Sequence, residues 1–265
     1  MKKLLLLLVL VLSVTVPAGA ETLRVGMTCD YAPYNWTQAE ASDMAVSLAA
    51  GGYADGYDVQ IALLIAKELG MDLEIVKTEW DSLPMALTSG KIDAIITGMS
   101  PTAELKMVID FTDPYYESDL VMVVMKSSPY AEATSLDDLA GARITGQLNT
   151  FHYTVIDQIP GVIKETALET FPAMIVALAS GRIDGCISER PVAISAVASN
   201  PDFTIAVFDE EAGFITNEED TTVAVGLRKD SPLLEQINLV LAGLDRVSRL
   251  AMMDEAIARQ PLAEE

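Results

Sequence analysis

The chain has 265 residues, of which 17 are Lys or Arg and 39 are Asp or Glu, for a net charge of −22 with its single His neutral. So large an excess of acid argues against nucleic acid as a partner, because phosphate binding needs cations that displace counterions; otherwise it bears mainly on solubility and steering. One His, two Cys and the lack of Cys-x-x-Cys, Gly-x-Ser-x-Gly or a Gly-rich phosphate loop exclude His-paired metal sites and the common hydrolase and nucleotide motifs, so no metal, cofactor or catalytic residue is expected.

In chain order, Lys2 and Lys3, the apolar residues 4–12 and Ala18-Gly19-Ala20 form the pattern of a secretory leader, with cleavage expected after Ala20. The apolar run falls short of the roughly 18 to 20 residues of a membrane span, and no Cys follows it to take a lipid, so a free periplasmic protein is expected. Without Lys2 and Lys3, 15 basic residues face 39 acidic ones, a net charge of −24. Residues 23–27 alternate as a strand, Cys29 to Trp36 read as an aromatic loop, and residues 38–54 read as a small-residue surface insertion. Residues 59–69 show helical spacing with a stop at Gly70, followed by a strand at 73–77, a helix at 80–89 and a strand at 92–97. This βαβαβ order predicts an α/β fold with a parallel sheet.

Ser100-Pro101 is predicted to open the next helix, with Ser as cap and Pro at the first helical position. The alternation breaks over residues 108–125, where the chain is expected to leave one lobe for another. Ser135 and Asp138 form a capping box. Strands at 143–147, 183–188, 203–208 and 221–227 and helices at 150–158, 171–179, 191–199, 232–241 and 248–258 complete the chain, whose tail is expected to fold back onto the first lobe.

Two stretches 91 residues apart are nearly the same: ALTSGKIDAIIT from Ala86 and ALASGRIDGCIS from Ala177, identical at seven of twelve positions. Each reads as the end of a helix, a Gly stop and a strand opening on Ile-Asp. The separation is too long for a solenoid, whose period is about 20 to 50 residues, so each copy is expected to anchor its own lobe. The expected organisation is lobe 1 over 21–117, lobe 2 over 118–211 and a return to lobe 1 over 212–265. Two lobes imply a cleft, with ligands at carboxyl strand ends. Cys29 and Cys186 then fall in different lobes, where two free, buried thiols are expected.

The candidate ligand residues are those at the predicted strand ends. Tyr31, Tyr34, Trp36 and Trp80 either form a stacking surface for a small ligand or pack ordinarily, and flat rings attract cations to their faces. Gly98-Met99-Ser100 follows the first repeat and Glu189-Arg190 the second; a cleft carboxylate such as Glu189 can bind an ammonium. Ser100, Thr150 and Phe151 stand at helix starts whose N–H groups could hold an anion.

The pieces LRVGMTCDYAPYNW, GYDVQIALLIAKELG, EWDSLPMALTSGKIDAIITGMSPTAE, IDFTDPYYESDLVMVV, LDDLAGARITGQLNT, ALASGRIDGCISERPVA and VAVGLRKDSPLLEQIN run in order along the chain. Together they resemble the bacterial extracellular solute-binding protein family 3, receptors of polar amino acid ABC importers. The resemblance implies a two-lobed, type II periplasmic-binding fold, each lobe a mainly parallel sheet flanked by helices, with two hinge crossings. It implies a small polar amino-containing ligand in the inter-lobe cleft, an amino acid or derivative or an amine, with a membrane permease as partner and a monomeric receptor. By position, Tyr31 and Trp80 resemble aromatic walls, Gly98 and Ser100 contacts to an amino acid's α groups, Thr150 a polar contact from the second lobe, and Glu189 the acid that holds the α-ammonium. The family's usual Thr-Pro-Glu-Arg run ends in a carboxylate-binding Arg; here it is Thr102-Ala103-Glu104-Leu105. Such a charged hydrogen bond is worth about 1.5 to 3 kcal/mol, roughly ten- to a hundredfold in affinity. Either Lys106 compensates or the ligand lacks an α-carboxylate. The resemblance also reaches periplasmic cyclohexadienyl dehydratases, where Glu189 would act as acid or base, and a ligand-presenting sensor component is a further alternative.

Overall fold

The computed structural model describes residues 20–209 and 211–261, so all of the expected leader but Ala20 lies outside the described residues. Two five-stranded sheets carry the fold. The first runs in the order Asp72–Lys77, Thr22–Met27, Ala94–Ile95, Thr222–Leu227, Asp110–Glu117, and the second in the order Ile163–Lys164, Arg143–Thr145, Gly185–Glu189, Leu120–Met125, Phe203–Ala206. In each, the first three strands pair in parallel and the last two join antiparallel. The sheets are therefore mixed but mainly one-directional, in keeping with the expected plan: four strands of each run together, and only Thr222–Leu227 in the first and Leu120–Met125 in the second run against them. Crossover helices bring strands back in the same direction, whereas a strand leaving for the other sheet and the strand returning from it must run oppositely. The two crossings lie side by side, with Ser118 N donating to Thr221 O at 2.9 Å.

The repeat explains why both sheets have one plan. Its strand sits at the centre of each sheet. In both copies Gly90 and Gly181 take left-handed φ values of 77° and 71°, and the next N–H returns to the carbonyl of Ala86 or Ala177 at 2.9 Å, closing the helix as such motifs do. The repeated Asp then clamps its lobe's first strand. Asp93 accepts from Arg24 N, Nε and Nη2 at 3.2, 2.9 and 2.8 Å, and Asp184 from Arg143 N and Nε at 2.9 and 3.1 Å and Nη2 at 2.6 Å. Asp93 also meets Arg228 at 3.3 Å. Truncating either Asp to Ala is expected to cost roughly 1 to 3 kcal/mol, more for Asp93→Ala than for Asp184→Ala because two guanidinium groups depend on it; urea unfolding of both variants checks the ranking.

Each sheet buries one face in its own core: Leu83, Leu87, Ile92, Ile95 and Ile109 under the first, Met122, Val124, Ile144, Ile156 and Ile187 under the second. The largest cluster spans both lobes, from Leu23 and Val25 through Tyr31 and Tyr34 to Phe171 and Cys186. Cys29 and Cys186 are free and buried. Residues 38–54 are more ordered than a loop: Asp30–Tyr31, Asn35–Gln38, Tyr53–Asp55 and Val46–Ser47 make a small antiparallel sheet. The terminal helix Arg246–Arg259 packs both on the first-lobe helix Tyr57–Leu69 and on the second-lobe helix Arg190–Ser199. Among the described residues no helix is long and apolar enough to cross a membrane.

Candidate functional site

The loop after the first strand is held in place by backbone bonds to the start of the Tyr57–Leu69 helix: Tyr57 N donates to Pro33 O at 3.0 Å and Asp58 N to Tyr34 O at 2.7 Å. Gly56 permits this approach. Its φ is 131°, and a Cβ there would stand 2.4 Å from Tyr34 O. The helix start thereby buries Asp58, which accepts from Tyr115 Oη and Asn35 Nδ2, both at 2.7 Å. Tyr115 Oη in turn accepts from Gly98 N at 3.1 Å. Gly98, with φ 61°, lies against the Tyr31 ring, which a Cβ would meet at 3.1 Å. Asp58 is thus the hub that fixes the loop after the first repeat.

A stack of rings leads from this hub across the cleft. Tyr31 and Tyr34 are stacked at 5.6 Å, Tyr34 stands edge-on to Tyr57 and Tyr116, and Tyr31 meets the second-lobe Phe171 edge-on at 5.9 Å. Tyr34 Oη donates to Glu189 Oε2 at 2.5 Å, joining the two lobes through a residue 0% exposed and one 3% exposed. On the other side, Glu189 Oε1 faces His152 Nε2 at 3.8 Å, beyond hydrogen-bond reach. His152 Nε2 is buried with no hydrogen-bond partner. A second bridge, Asn149 Nδ2 to Asp81 Oδ1 at 2.8 Å, spans the mouth of the cleft.

Burial sets the charge state of these groups. It pushes the Glu189 carboxyl from 4.5 to about 7 against the lowering pull of the Tyr34 bond, with the Asp58 charge adding to the rise. It likewise raises Asp58 from 3.8 to about 7 although Tyr115 and Asn35 donate to it and the nearby Gly98 N–H favours its charge, and it lowers His152 from 6.5 to about 4. The Tyr34 hydroxyl rises well above its usual value through burial and the neighbouring Glu189, so it remains a donor. His152 is therefore neutral near pH 7, and its contact with Glu189 is not an ion pair.

Between the lobes lies a narrow recess lined by Tyr31, Trp80, Gly98 and Ser100 from the first and Thr150, Phe151 and His152 from the second, with Leu105, Thr102, Gln147 and Asn149 completing it. It has room for little more than a water-sized molecule, and it adjoins a cavity of about 700 Å³ that shares Leu105, Asn149 and Phe151. Of the expected ligand residues, Tyr31, Trp80, Gly98, Ser100, Thr150 and Phe151 come together on this wall, and Glu189 lies buried behind it against Tyr34 and His152. Met99 does not: it is 1% exposed and packs with Leu83, Ile92 and Ile95 in the first core, because the Gly98 turn directs the next side chain inward. Trp36 is buried outside the recess.

Ser100 is not the helix cap either. The helix is the single turn Ala103–Lys106, capped by Thr102 Oγ1 accepting from Leu105 N at 3.4 Å, and so short a turn presents little dipole to an anion. Ser100 Oγ instead donates to Asp220 O at 3.4 Å, and Thr150 Oγ1 to Gln147 O at 2.8 Å. Lys106 Nζ pairs with Glu219 at 2.6 Å and lines neither cavity. Sequence reasoning passed over His152, Asp58 and the Tyr34–Glu189 bond; the one available signal for His152 was its place two residues beyond Thr150. Arg190, the neighbour of Glu189, reaches the crossing segment, where its backbone N donates to Asp119 O at 3.1 Å and its guanidinium Nε to both Asp119 carboxylate oxygens at 3.0 Å. Among the described residues, no group of three or more His, Cys, Asp or Glu converges as metal ligands do.

Several known proteins are built alike. The chain is 27% identical over 247 residues to the ABC transporter arginine-binding protein 1 of Escherichia coli (strain K12), spanning 92% of this chain and 93% of that one. It is 28% identical to a probable histidine-binding protein of Campylobacter jejuni, over 91% of this chain and 85% of the relative. Its fold superimposes on the crystal structure of an amino acid ABC transporter substrate-binding protein from Streptococcus pneumoniae bound to L-arginine with a TM-score of 0.75 at 30% identity, covering 89% of this chain and 94% of the other. Residues 23–256 match the bacterial extracellular solute-binding proteins, family 3, and with two sheets of one plan closing on a shared recess, the chain belongs to that family.

Proposed function

We propose that this protein is the solute-binding receptor of an ABC importer, exported after cleavage at Ala20, and that it closes its lobes, residues 21–117 with 212–265 and residues 118–211, on a small polar solute bearing an amino group. The observation that carries the reading is the recess itself. Tyr31, Trp80, Gly98 and Ser100 on one side face Thr150 and Phe151 on the other, with Glu189 tied to Tyr34 across the boundary. A solute touching both sides stabilises the closed form by its differential affinity for it. Since the closed recess is so small, the solute enters an open form, and closure around it makes the surface that a membrane permease reads; the receptor acts as a monomer. The relatives named for arginine and histidine support a nitrogen-rich solute.

The test is a thermal-shift screen of residues 21–265 against amino acids, polyamines and quaternary amines. A ligand at a hundred times its dissociation constant adds about 2.7 kcal/mol, a rise of roughly 5 to 10 °C at this size. No shift with any compound would sink the receptor reading. One feature favours a second reading: a buried acid near pH 7 beside a neutral imidazole is also poised for proton transfer. Product formed from prephenate or arogenate would replace the receptor with a dehydratase; stoichiometric binding without product supports the receptor.

A further inference from the structure

We propose that the solute is a primary amine without a carboxylate, whose ammonium is shared by Glu189 and His152. This rests on the receptor reading above and narrows it to one ligand chemistry.

The charges around the recess decide against an anion. Among its lining residues there is no Lys or Arg. Lys106 is engaged by Glu219, Arg190 by Asp119, and Leu105 presents only carbon to the space. A carboxylate placed there would be desolvated beside a buried acid with no countercharge, which is among the costliest arrangements a protein can bury. The hydroxyls do not rescue it: Ser100 and Thr150 direct their protons to the Asp220 and Gln147 carbonyls. Outside, past Trp80 and Gln147, the cleft opens onto a mouth lined by Asp30, Glu79, Asp81 and Glu169, again without Lys or Arg. That field repels anions and gathers cations.

The unsatisfied groups ask for a donor. His152 has a side chain 7% exposed, lines the recess, and its Nε2 has no hydrogen-bond partner. As a neutral imidazole protonated at Nδ1 it offers a lone pair there. Glu189 Oε1, 3.8 Å away, offers another, while Oε2 already accepts from Tyr34. Two acceptors at this separation lie within reach of one nitrogen whose charge-assisted hydrogen bonds are about 2.8 Å long. An ammonium has protons for both, and the rings of Tyr31 and Trp80 suit a cation nearby. A quaternary amine has no proton for either acceptor and leaves both unpaired.

Titration calorimetry at pH 8 with pairs differing only in the carboxylate tests this: agmatine against arginine, cadaverine against lysine, histamine against histidine. At least one amine is expected to bind about tenfold or more tightly than its amino acid. His152→Ala is expected to weaken that amine about tenfold, with His152→Gln, whose carbonyl can accept in its place, recovering part of the loss. Leu105→Arg is expected to reverse the preference within the pair. An amino acid that binds as well as its amine overturns the inference and leaves the receptor intact. A tightest ligand that lacks an amine also overturns it. No binding by any pair or by any compound of the wider screen removes both.

Discussion

Glu189→Gln is expected to abolish solute binding and, at pH 8, to make the protein more heat-stable. Removing one partner of a buried, charged hydrogen-bonded pair costs about 2 to 5 kcal/mol, so affinity falls at least roughly thirtyfold. The stability gain comes from the same burial. Because the folded protein holds the Glu189 proton up to about pH 7 while the unfolded chain releases it near 4.5, this group's contribution is fully present below about 4.5 and is lost as pH rises through 7. The loss approaches about 3 kcal/mol by pH 8. Gln keeps an acceptor for Tyr34 and carries no charge at any pH. Asp58 acts with the same sign, its carboxyl raised to about 7. His152, lowered to about 4, acts oppositely: its contribution is present above 6.5 and is lost as pH falls toward 4. Both are common to the variant and the parent, so their difference isolates Glu189. Melting midpoints should agree near pH 5 and separate by roughly 5 to 10 °C at pH 8. A separation that does not change with pH would show that Glu189 is not ionising in a buried site.

Asp58→Ala is expected to produce the largest loss of stability, about 3 to 5 kcal/mol. The substitution leaves the Tyr115 hydroxyl and the Asn35 amide, both on residues 0% exposed, without the acceptor that each now reaches at 2.7 Å. It also loosens the Tyr115 hydroxyl that receives Gly98 N–H, so a wall of the recess moves with it. Asp58→Asn should lose less, since its carbonyl still accepts from Tyr115. Urea unfolding, read with binding of the best ligand from the screen, separates the two effects. A cost for Asp58→Ala below about 1 kcal/mol would mean that the hub is dispensable.

The parts of this molecule that were legible in its sequence are those written in local pattern. The twelve-residue repeat marked the central strand of each sheet, because a helix stop, a left-handed Gly and an Ile-Asp opening are local instructions. Strand direction is not local: whether Thr222–Leu227 runs with or against Ala94–Ile95 depends on where the chain has been in between, so the mainly parallel plan was legible but the one reversed strand of each sheet was not. Met99 was misplaced because a glycine turn decides which of three neighbouring side chains faces outward, and composition is silent about that. Thr102 displaced Ser100 as cap since both residues suit the role and only geometry separates them. Asp58 gave no pattern at all, and His152 only its nearness to Thr150. An acid in the first turn of a helix is ordinarily a solvated end charge, and only the Tyr115 and Asn35 partners, contributed from elsewhere in the chain, make it a buried hub.

Glu189 and Arg190 are joined by a single peptide bond, and they serve different places: the first reaches toward the recess, the second grips Asp119 where the chain passes between the lobes. Under the proposed function, a solute that tugs the carboxylate would also pull on the pivot, with no relay of intermediate side chains needed. Occupancy and lobe angle would then be one mechanical variable, and a graft that copied the recess without that second grip is expected to bind its cargo yet fail to report it.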